Sequence, residues 1–378
     1  MKLAVLSFVA VVLALSSRAA DLQIMPDGSA VLTPDRLCRG NDQSAMQTCA
    51  GRPDNDNQSI QDAIDRSRNK VFFKAGIYKL VAPVSLRSGK TYAGEGGFSY
   101  NYGSMLMQTV RNMAIFAVNG SISSVNINGL TFSGPAAKGV AGDSSSKLVN
   151  STIRDNFFHG NLADGIAAPM SATRIERNGF GNYGPAPLSD ITTQAHIRSS
   201  LPLNAVPGDN WITGNLFRST CPSSEESPLP NCRSAASVQF DASGALYVTG
   251  NDFESNNSDT TLRVSATTQA VVQGNWFEAN RGRTQVLFSK TGSYKAQLKD
   301  NFYAMFACPD RCVLVDFDTS AGAPQVSMSY EAGQNFTVSP VIKTELTSAS
   351  GWQYLTIERP LCLRGYDGNM KNDNHCPL

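Results

Sequence analysis

The amino-acid sequence predicts an all-β chain, wound as a single-stranded parallel β-helix. Three observations carry this expectation. First, a phrase recurs: residues 246–256 read LYVTGNDFESN, and residues 271–280 read VVQGNWFEAN. Second, the phrase has a fixed grammar and a regular step. An aliphatic residue is followed three positions later by Asn and two after that by an aromatic ring. Ile153/Asn156/Phe158, Ile175/Asn178/Phe180, Ile212/Asn215/Phe217, Val248/Asn251/Phe253 and Val272/Asn275/Phe277 fit. Leu298/Asn301/Tyr303 fits with Tyr, and Ile127/Leu130/Phe132 with Leu in place of Asn. The Asn-equivalent positions are 26, 22, 37, 36, 24 and 26 residues apart, the period of stacked repeats. Third, Gly, Ser, Thr, Asn and short β-branched runs lie between the phrases, with no amphipathic helical pattern.

Each part of the phrase has a physical job in such a coil. Strands of successive coils stack about 4.8 Å apart. The aliphatic and aromatic positions point inward and stack on their equivalents. The Asn sits at the turn between two strands, where its amide can bond the Asn of the next coil and so avoid burial unpaired. A leucine-rich repeat would need several leucines per unit, and these units lack them.

The N-terminal part supplies a start. Residues 54–80, DNDNQSIQDAIDRSRNKVFFKAGIYKL, read as a short helix around Ser59 to Ser67, a strand, and the turn Lys74-Ala75-Gly76-Ile77-Tyr78. Residues 86–96, LRSGKTYAGEG, read as the next coil. With the repeats, these stretches resemble the right-handed parallel β-helix, or pectate-lyase-like, superfamily of secreted carbohydrate-active proteins, over residues 50–320. The resemblance implies a right-handed helix, and a capping helix over its open end. It does not fix an activity, because that superfamily hosts lyases, hydrolases, epimerases and non-enzymes.

The termini and cysteines set the compartment. Lys2 precedes an apolar run from Leu3 to Leu15 and then Ser-Ser-Arg-Ala-Ala, the pattern of a secretory leader over residues 1–20. That run is too short to span a bilayer. The β-helix with its N-terminal cap is expected over 21–320 and a C-terminal β/tail cap over 321–378. Eight cysteines in an exported chain read as disulfides, paired locally as Cys38/Cys49, Cys221/Cys232, Cys308/Cys312 and a tail-closing Cys362/Cys376. The three histidines are too scattered for a zinc site with them. Loss of Lys2 and Arg18 takes the formal charge from +1 to −1, which argues against nucleic acid as a partner. A secreted monomer without a membrane span is expected.

In the superfamily the substrate groove runs along the sheet that follows the aromatic. Candidate strands for that sheet are GIAAP (165–169), AHIRS (195–199), SVQFDA (237–242), TLRVS (261–265), TQVLFS (284–289) and CVLVDFD (312–318). Alternation with Ile197, Val238, Phe240, Leu262, Val264, Val315 and Phe317 inward puts His196, Arg198, Gln239, Asp241, Thr261, Arg263, Gln285, Asp316 and Asp318 outward on one strip. The two long steps place insertions between Asn182 and Gln194 and between Ser219 and Arg233, just before strands of that face.

These residue types suit a lyase of acidic, uronate-containing polysaccharide acting by β-elimination. Arg263 and Arg198 can neutralise a uronate carboxylate, His196 can exchange a proton near neutral pH, and Asp241 can orient an arginine or hold a cation. Gln239, Gln285, Asp316 and Asp318 would contact the sugar. No protein metal site is expected, and calcium is the one cofactor left open. Residues 261–282 faintly resemble the arginine-bearing coil of the alginate lyase and chondroitinase B group, but only Arg263 matches, without that group's His and Lys. Two alternatives stand: a non-catalytic glycan-binding, adhesin or surface structural protein, and a glycoside hydrolase or C5-epimerase in the same groove. Asp164 in Ala163-Asp164-Gly165-Ile166 reads as structural, His159 as an exposed loop residue, and Glu254 and Glu278 as solvated on another sheet.

Overall fold

The computed structural model describes residues 20–304 apart from 40–47, 50–55, 97–102, 160–161, 182–194, 201–206, 219–222, 225–226, 229–233, 282–283 and 290–294. Beyond residue 304 it describes the backbones of strands at 313–317, 325–329, 332–336, 355–357 and 362–365.

Successive coils from Lys70 to Phe317 each contribute one strand to each of three long sheets. Sheet A has thirteen strands, from Asp21–Ile24 to Leu355–Ile357. Sheet B has eleven, from Gly76–Leu80 to Cys362–Gly365, and sheet C has nine, from Val84–Ser85 to Val313–Phe317. Strands pair in parallel with the next coil, so that Ile153, Ile175 and Ile212 lie in register in sheet A. The one antiparallel pair in these sheets among the described residues is Asp21–Ile24 with Ala30–Thr33, at the N-terminal end.

The turn from sheet A to sheet B explains the recurring phrase. It consists of one residue in the left-handed region followed by the Asn. Gly129, Asp155, Arg177, Gly214, Gly250, Gly274 and Asp300 hold that place with φ between 51° and 66°. Glycine takes this conformation without steric cost, while Asp and Arg accept it because the stacked turn overdetermines it. The next residue is the ladder Asn. The Nδ2 groups of Asn156, Asn178, Asn215, Asn251 and Asn275 each donate to Oδ1 of the next Asn at 2.9–3.0 Å. Each also donates to a main-chain carbonyl of the previous coil, from Ile127 O through Val248 O. Each Oδ1 from Asn178 onward takes a second bond from the previous Asn main-chain N–H. The amides are nearly fully buried and satisfied on both sides.

The same device occurs again at the end of the sheet B strand. Ser255 and Ala279 are left-handed and precede Asn256 and Asn280. Asn256 Nδ2 donates to Asn280 Oδ1 at 2.9 Å and to Phe217 O at 3.0 Å. The signal for this second ladder was in the sequence, as Asn three residues after the aromatic in FESN and FEAN.

Inside, the aromatic position forms one continuous stack. Phe132, Phe158, Phe180, Phe217, Phe253, Phe277 and Tyr303 follow each other at centroid spacings of 4.6–5.0 Å, which is the coil repeat. Val140, Ile166, Ile197, Val238, Leu262 and Val286 line sheet C from within and are wholly buried.

The helix expected around Ser59 to Ser67 is found at Asp56–Arg66 and buries Ile60, Ala63 and Ile64 against the first coils. Asp56 is fully buried at its start. One carboxylate oxygen accepts from the Ala20 N–H and the other from the Lys79 N–H, tying three segments together. The Cys38–Cys49 disulfide is present. Cys221, Cys232, Cys308, Cys312 and Cys376, like the leader, lie outside the described residues, and Cys362 is described only by its backbone. Beyond residue 320, Gln325–Ser329 and Leu355–Ile357 add to sheet A, and Ala332–Phe336 and Cys362–Gly365 add to sheet B.

An Asn215→Ala substitution leaves the Ile175 carbonyl, the Asn178 amide and one lone pair of Asn251 unpaired inside the solenoid. It should cost about 2–5 kcal/mol, seen as a lower denaturant midpoint with an unchanged slope.

Candidate functional site

The outward face of sheet C carries the candidate residues, but the rule that places them is not simple alternation. At the start of each sheet C strand the chain bends away from sheet B, and one extra position turns inward. The register shows it: Lys138 pairs with Asp164 and Val140 with Ile166, with the glycine between them unpaired. A Cβ on Gly139 would meet the Phe158 ring at 2.8 Å, and one on Gly165 the Phe180 ring at 2.8 Å, so this position faces the aromatic stack. In later coils it is filled by His196, Ser237, Thr261 and Gln285, all buried.

Three expectations, those for His196, Thr261 and Gln285, are corrected by this bend. His196 is not on the exposed strip. It is 3% exposed, lies 5.8 Å from both the Phe180 and Phe217 rings, and places Nε2 3.2 Å from Asn256 Oδ1. It therefore caps the second Asn ladder. Thr261 and Gln285, also expected on the strip, are enclosed as well, and the Thr261 hydroxyl donates to Gln285 Oε1 at 2.9 Å. An inward pair of consecutive positions breaks the two-residue period, and only the three-dimensional bend reveals where that happens.

Past the bend, alternation holds. Arg198, Gln239, Arg263, Leu287 and Asp316 form one row in register across five coils. Arg198 and Arg263 are therefore about 10 Å apart along the solenoid axis, two coil spacings. Asp241 stands two residues beyond Gln239, opposite Ser265. Asp316 is described by its backbone register alone, and Asp318 lies outside the described residues. So do the insertions on this face, except for the small antiparallel pair Ser223–Ser224 with Ser227–Pro228.

Asp164, which reads as structural in the sequence, belongs to this face. Its Oδ2 takes a 2.6 Å ion-pair bond from Arg198 Nη2. Its side chain is wholly enclosed, while that of Arg198 is 40% exposed. Its Oδ1 has no well-formed hydrogen bond. Burial pushes the Asp164 carboxyl up, against the pull of Arg198 and Lys138 and a weak contribution from the Ala195 amide. Burial likewise pushes Asp241 up, and Arg263 opposes it. Arg263 Nε donates to Ser289 Oγ at 3.3 Å. The face thus offers two guanidiniums flanking a glutamine amide, each with a carboxyl beside it that holds its proton more readily than usual.

Sheet B differs. His159, expected in a loop, is in the strand Phe157–His159 and is nearly buried, with its ring edge-on to Phe157. Glu254 is ion-paired with Arg218, and Glu278 accepts from Trp276 Nε1 at 2.8 Å, so neither is simply solvated. Among the described residues no group of three His, Cys, Asp or Glu side chains converges as a metal site, and no helix is long and apolar enough to cross a membrane.

His196 makes stability depend on pH. Burial pushes its ring down to about 4, against the Asn256 and Arg218 contacts. The ring is therefore neutral in the folded chain, while the unfolded chain takes up a proton near 6.5. Folding stability should fall by about 3 kcal/mol as the pH drops from about 6.5 to about 4. His196→Gln should flatten this part of the unfolding-versus-pH curve.

No protein-family model matches the chain, and no curated protein sequence matches it. Solved structures do. The tailspike protein of the Acinetobacter phage vB_ApiP_P1 is 17% identical and superimposes with a TM-score of 0.58, covering 76% of this chain and 52% of the tailspike. The chain thus spans about half the length of that protein. The A-module of the Azotobacter vinelandii mannuronan C-5 epimerase AlgE4 is 13% identical with a TM-score of 0.31, over 74% of this chain and 94% of the module. The Streptococcus pneumoniae surface protein and adhesin PfbA is 13% identical with a TM-score of 0.34, over 79% of this chain and 99% of PfbA. At these identities the likeness concerns architecture alone, and the chain has the fold of the right-handed parallel β-helix proteins.

Proposed function

We propose that this chain is a secreted protein that binds an acidic polysaccharide along the outward face of sheet C and cleaves it by β-elimination. The observation that carries the reading is the in-register row Arg198–Gln239–Arg263, flanked by Asp164 and Asp241. A linear glycan lying along the solenoid axis would present its carboxylates at intervals to the two guanidiniums. Arg198 is aimed by its ion pair with Asp164, which suits it to receive a substrate carboxylate. Arg263 would neutralise the uronate whose C5–H bond breaks, because delocalising that charge acidifies the C5 proton. Asp241, with its raised carboxyl beside Arg263, is the group placed to take that proton. The C5–H electrons form the C4=C5 double bond as the C4–O bond breaks, and the leaving oxygen is protonated from Asp241 or solvent. The buried, neutral His196 has no part in this scheme.

Among the described residues of this face, the carboxyls Asp164 and Asp241 do not make a glycosidase pair. Asp164 and Asp241 are separated by two coils and about five residues along the strand, roughly 18 Å between backbones. A glycosidase carboxyl pair needs about 5–10 Å. The second reading is glycan binding without cleavage. It is favoured by the burial of His196, which removes the one side chain that titrates near neutral pH from the face.

The test incubates the mature chain with polygalacturonate, alginate and chondroitin sulfate, with and without calcium, and follows the ultraviolet absorbance of the unsaturated product. One substrate should give a rise, and the rate should climb with pH as Asp241 ionises. Arg263→Ala should lower kcat/KM about 10²-fold, and Asp241→Asn at least as much. Retained binding with no unsaturated product would leave the non-catalytic reading. Neither binding nor product would overturn both.

A further inference from the structure

The outward face of sheet B holds a gap in a row of stacked side chains. Leu216, Asp252, Trp276 and Phe302 lie in register on four successive coils. Trp276 and Phe302 stack at 4.1 Å with 23° between their planes. Phe302 thus covers one face of the indole. Asp252, on the other side, is too small to cover the second face, and Trp276 is 42% exposed, an unusual state for so large an apolar side chain here. The ring is nevertheless fixed, because Nε1 donates to Glu278 Oε2 at 2.8 Å. Leu216 and Trp276 stand two coils apart, about 10 Å between backbones. The rings of the inner stack lie 4.6–5.0 Å apart, one coil spacing, so the space above Asp252 has about the thickness of one ring.

The floor of this slot is unsatisfied. Asp252 Oδ1 is enclosed and has no hydrogen-bond partner. An enclosed acceptor without a donor calls for one to arrive. Burial first, then Glu254 and Glu278, push the Asp252 carboxyl up to about 6, against the pull of Arg218. Three carboxyls and a single guanidinium surround the slot, and the Arg218–Glu254 pair fixes its side wall.

We infer that this slot is a second saccharide site, separate from sheet C, that takes the ring of a neutral pyranose. A sugar ring is flat enough to continue the stack on Trp276, and its hydroxyls supply the donor that Asp252 Oδ1 lacks. An aromatic ligand would leave Asp252 unpaired, and a uronate would meet like charge. The site does not depend on the acidic-glycan reading of sheet C.

The experiment is electrophoresis of the mature chain through native gels containing xyloglucan, galactomannan or dextran, with polygalacturonate as the anionic control. At least one neutral gel should retard the wild type. Trp276→Ala should weaken that retardation at least tenfold in apparent affinity, and Arg263→Ala should leave it unchanged, which separates this site from the one on sheet C. Asp252→Tyr gives a second readout: a ring filling the gap should raise Tm while abolishing retardation. No retardation by any neutral gel overturns the inference, as does equal retardation of wild type and Trp276→Ala. Unaltered retardation of Asp252→Tyr overturns the placement in the slot.

Discussion

The solenoid depends on a side-chain amide that is buried at the same turn of six successive coils, from Asn156 to Asn301. A turn from one sheet to the next exposes main-chain carbonyls and N–H groups that no strand ladder can satisfy. The Asn at that turn supplies both missing partners, a carbonyl oxygen for its neighbour's N–H groups and an amide for the carbonyl below. Because it bonds to its own equivalent, the arrangement closes only if the next coil repeats the same residue at the same height. That requirement aligns the coils, and the alignment brings aromatic rings face to face at the repeat distance.

A register held this tightly has a consequence for any site on the surface. Outward residues of successive coils form straight rows, with spacing set by the backbone rather than by side-chain packing. Arg198, Gln239 and Arg263 are one such row, and Leu216, Asp252, Trp276 and Phe302 another. Both rows run along the direction an extended polymer would take. They differ in chemistry: two guanidiniums mark the first, and a single carboxyl beside two aromatic rings marks the second. One solenoid can therefore present faces of opposite preference without any change of fold.

Buried carboxyls mark where these faces depart from an ordinary polar surface. Asp164, Asp241 and Asp252 all point away from the core, yet burial raises each of them. On a flat exposed sheet an outward aspartate would be hydrated. Here arginine stems, neighbouring rings and adjoining chain shield them, and the cost of that desolvation is retained in the folded state.

Much of the architecture was legible in the sequence, because a step of 22 to 37 residues with a recurring aliphatic–Asn–aromatic order has few physical solutions. The sheet C strand expected at 195–199 is found at Ala195–Ser199, and those expected at 237–242 and 261–265 begin three residues earlier, at Ser234–Asp241 and Ser258–Ser265. Arg198, Gln239 and Arg263 were assigned to the outward face from alternation alone, and they are there. The sequence could not show that His196, Thr261 and Gln285 turn inward, since strand period says nothing about a bend that makes two successive residues face the core. Nor could it pair Asp164 with Arg198, thirty-four positions away, or place Asp252 beside Trp276 as the floor of a gap. Residue identity and spacing determine which side chains repeat. Which of them meet across coils depends on register and on the local bend, and these exist only once the chain has stacked.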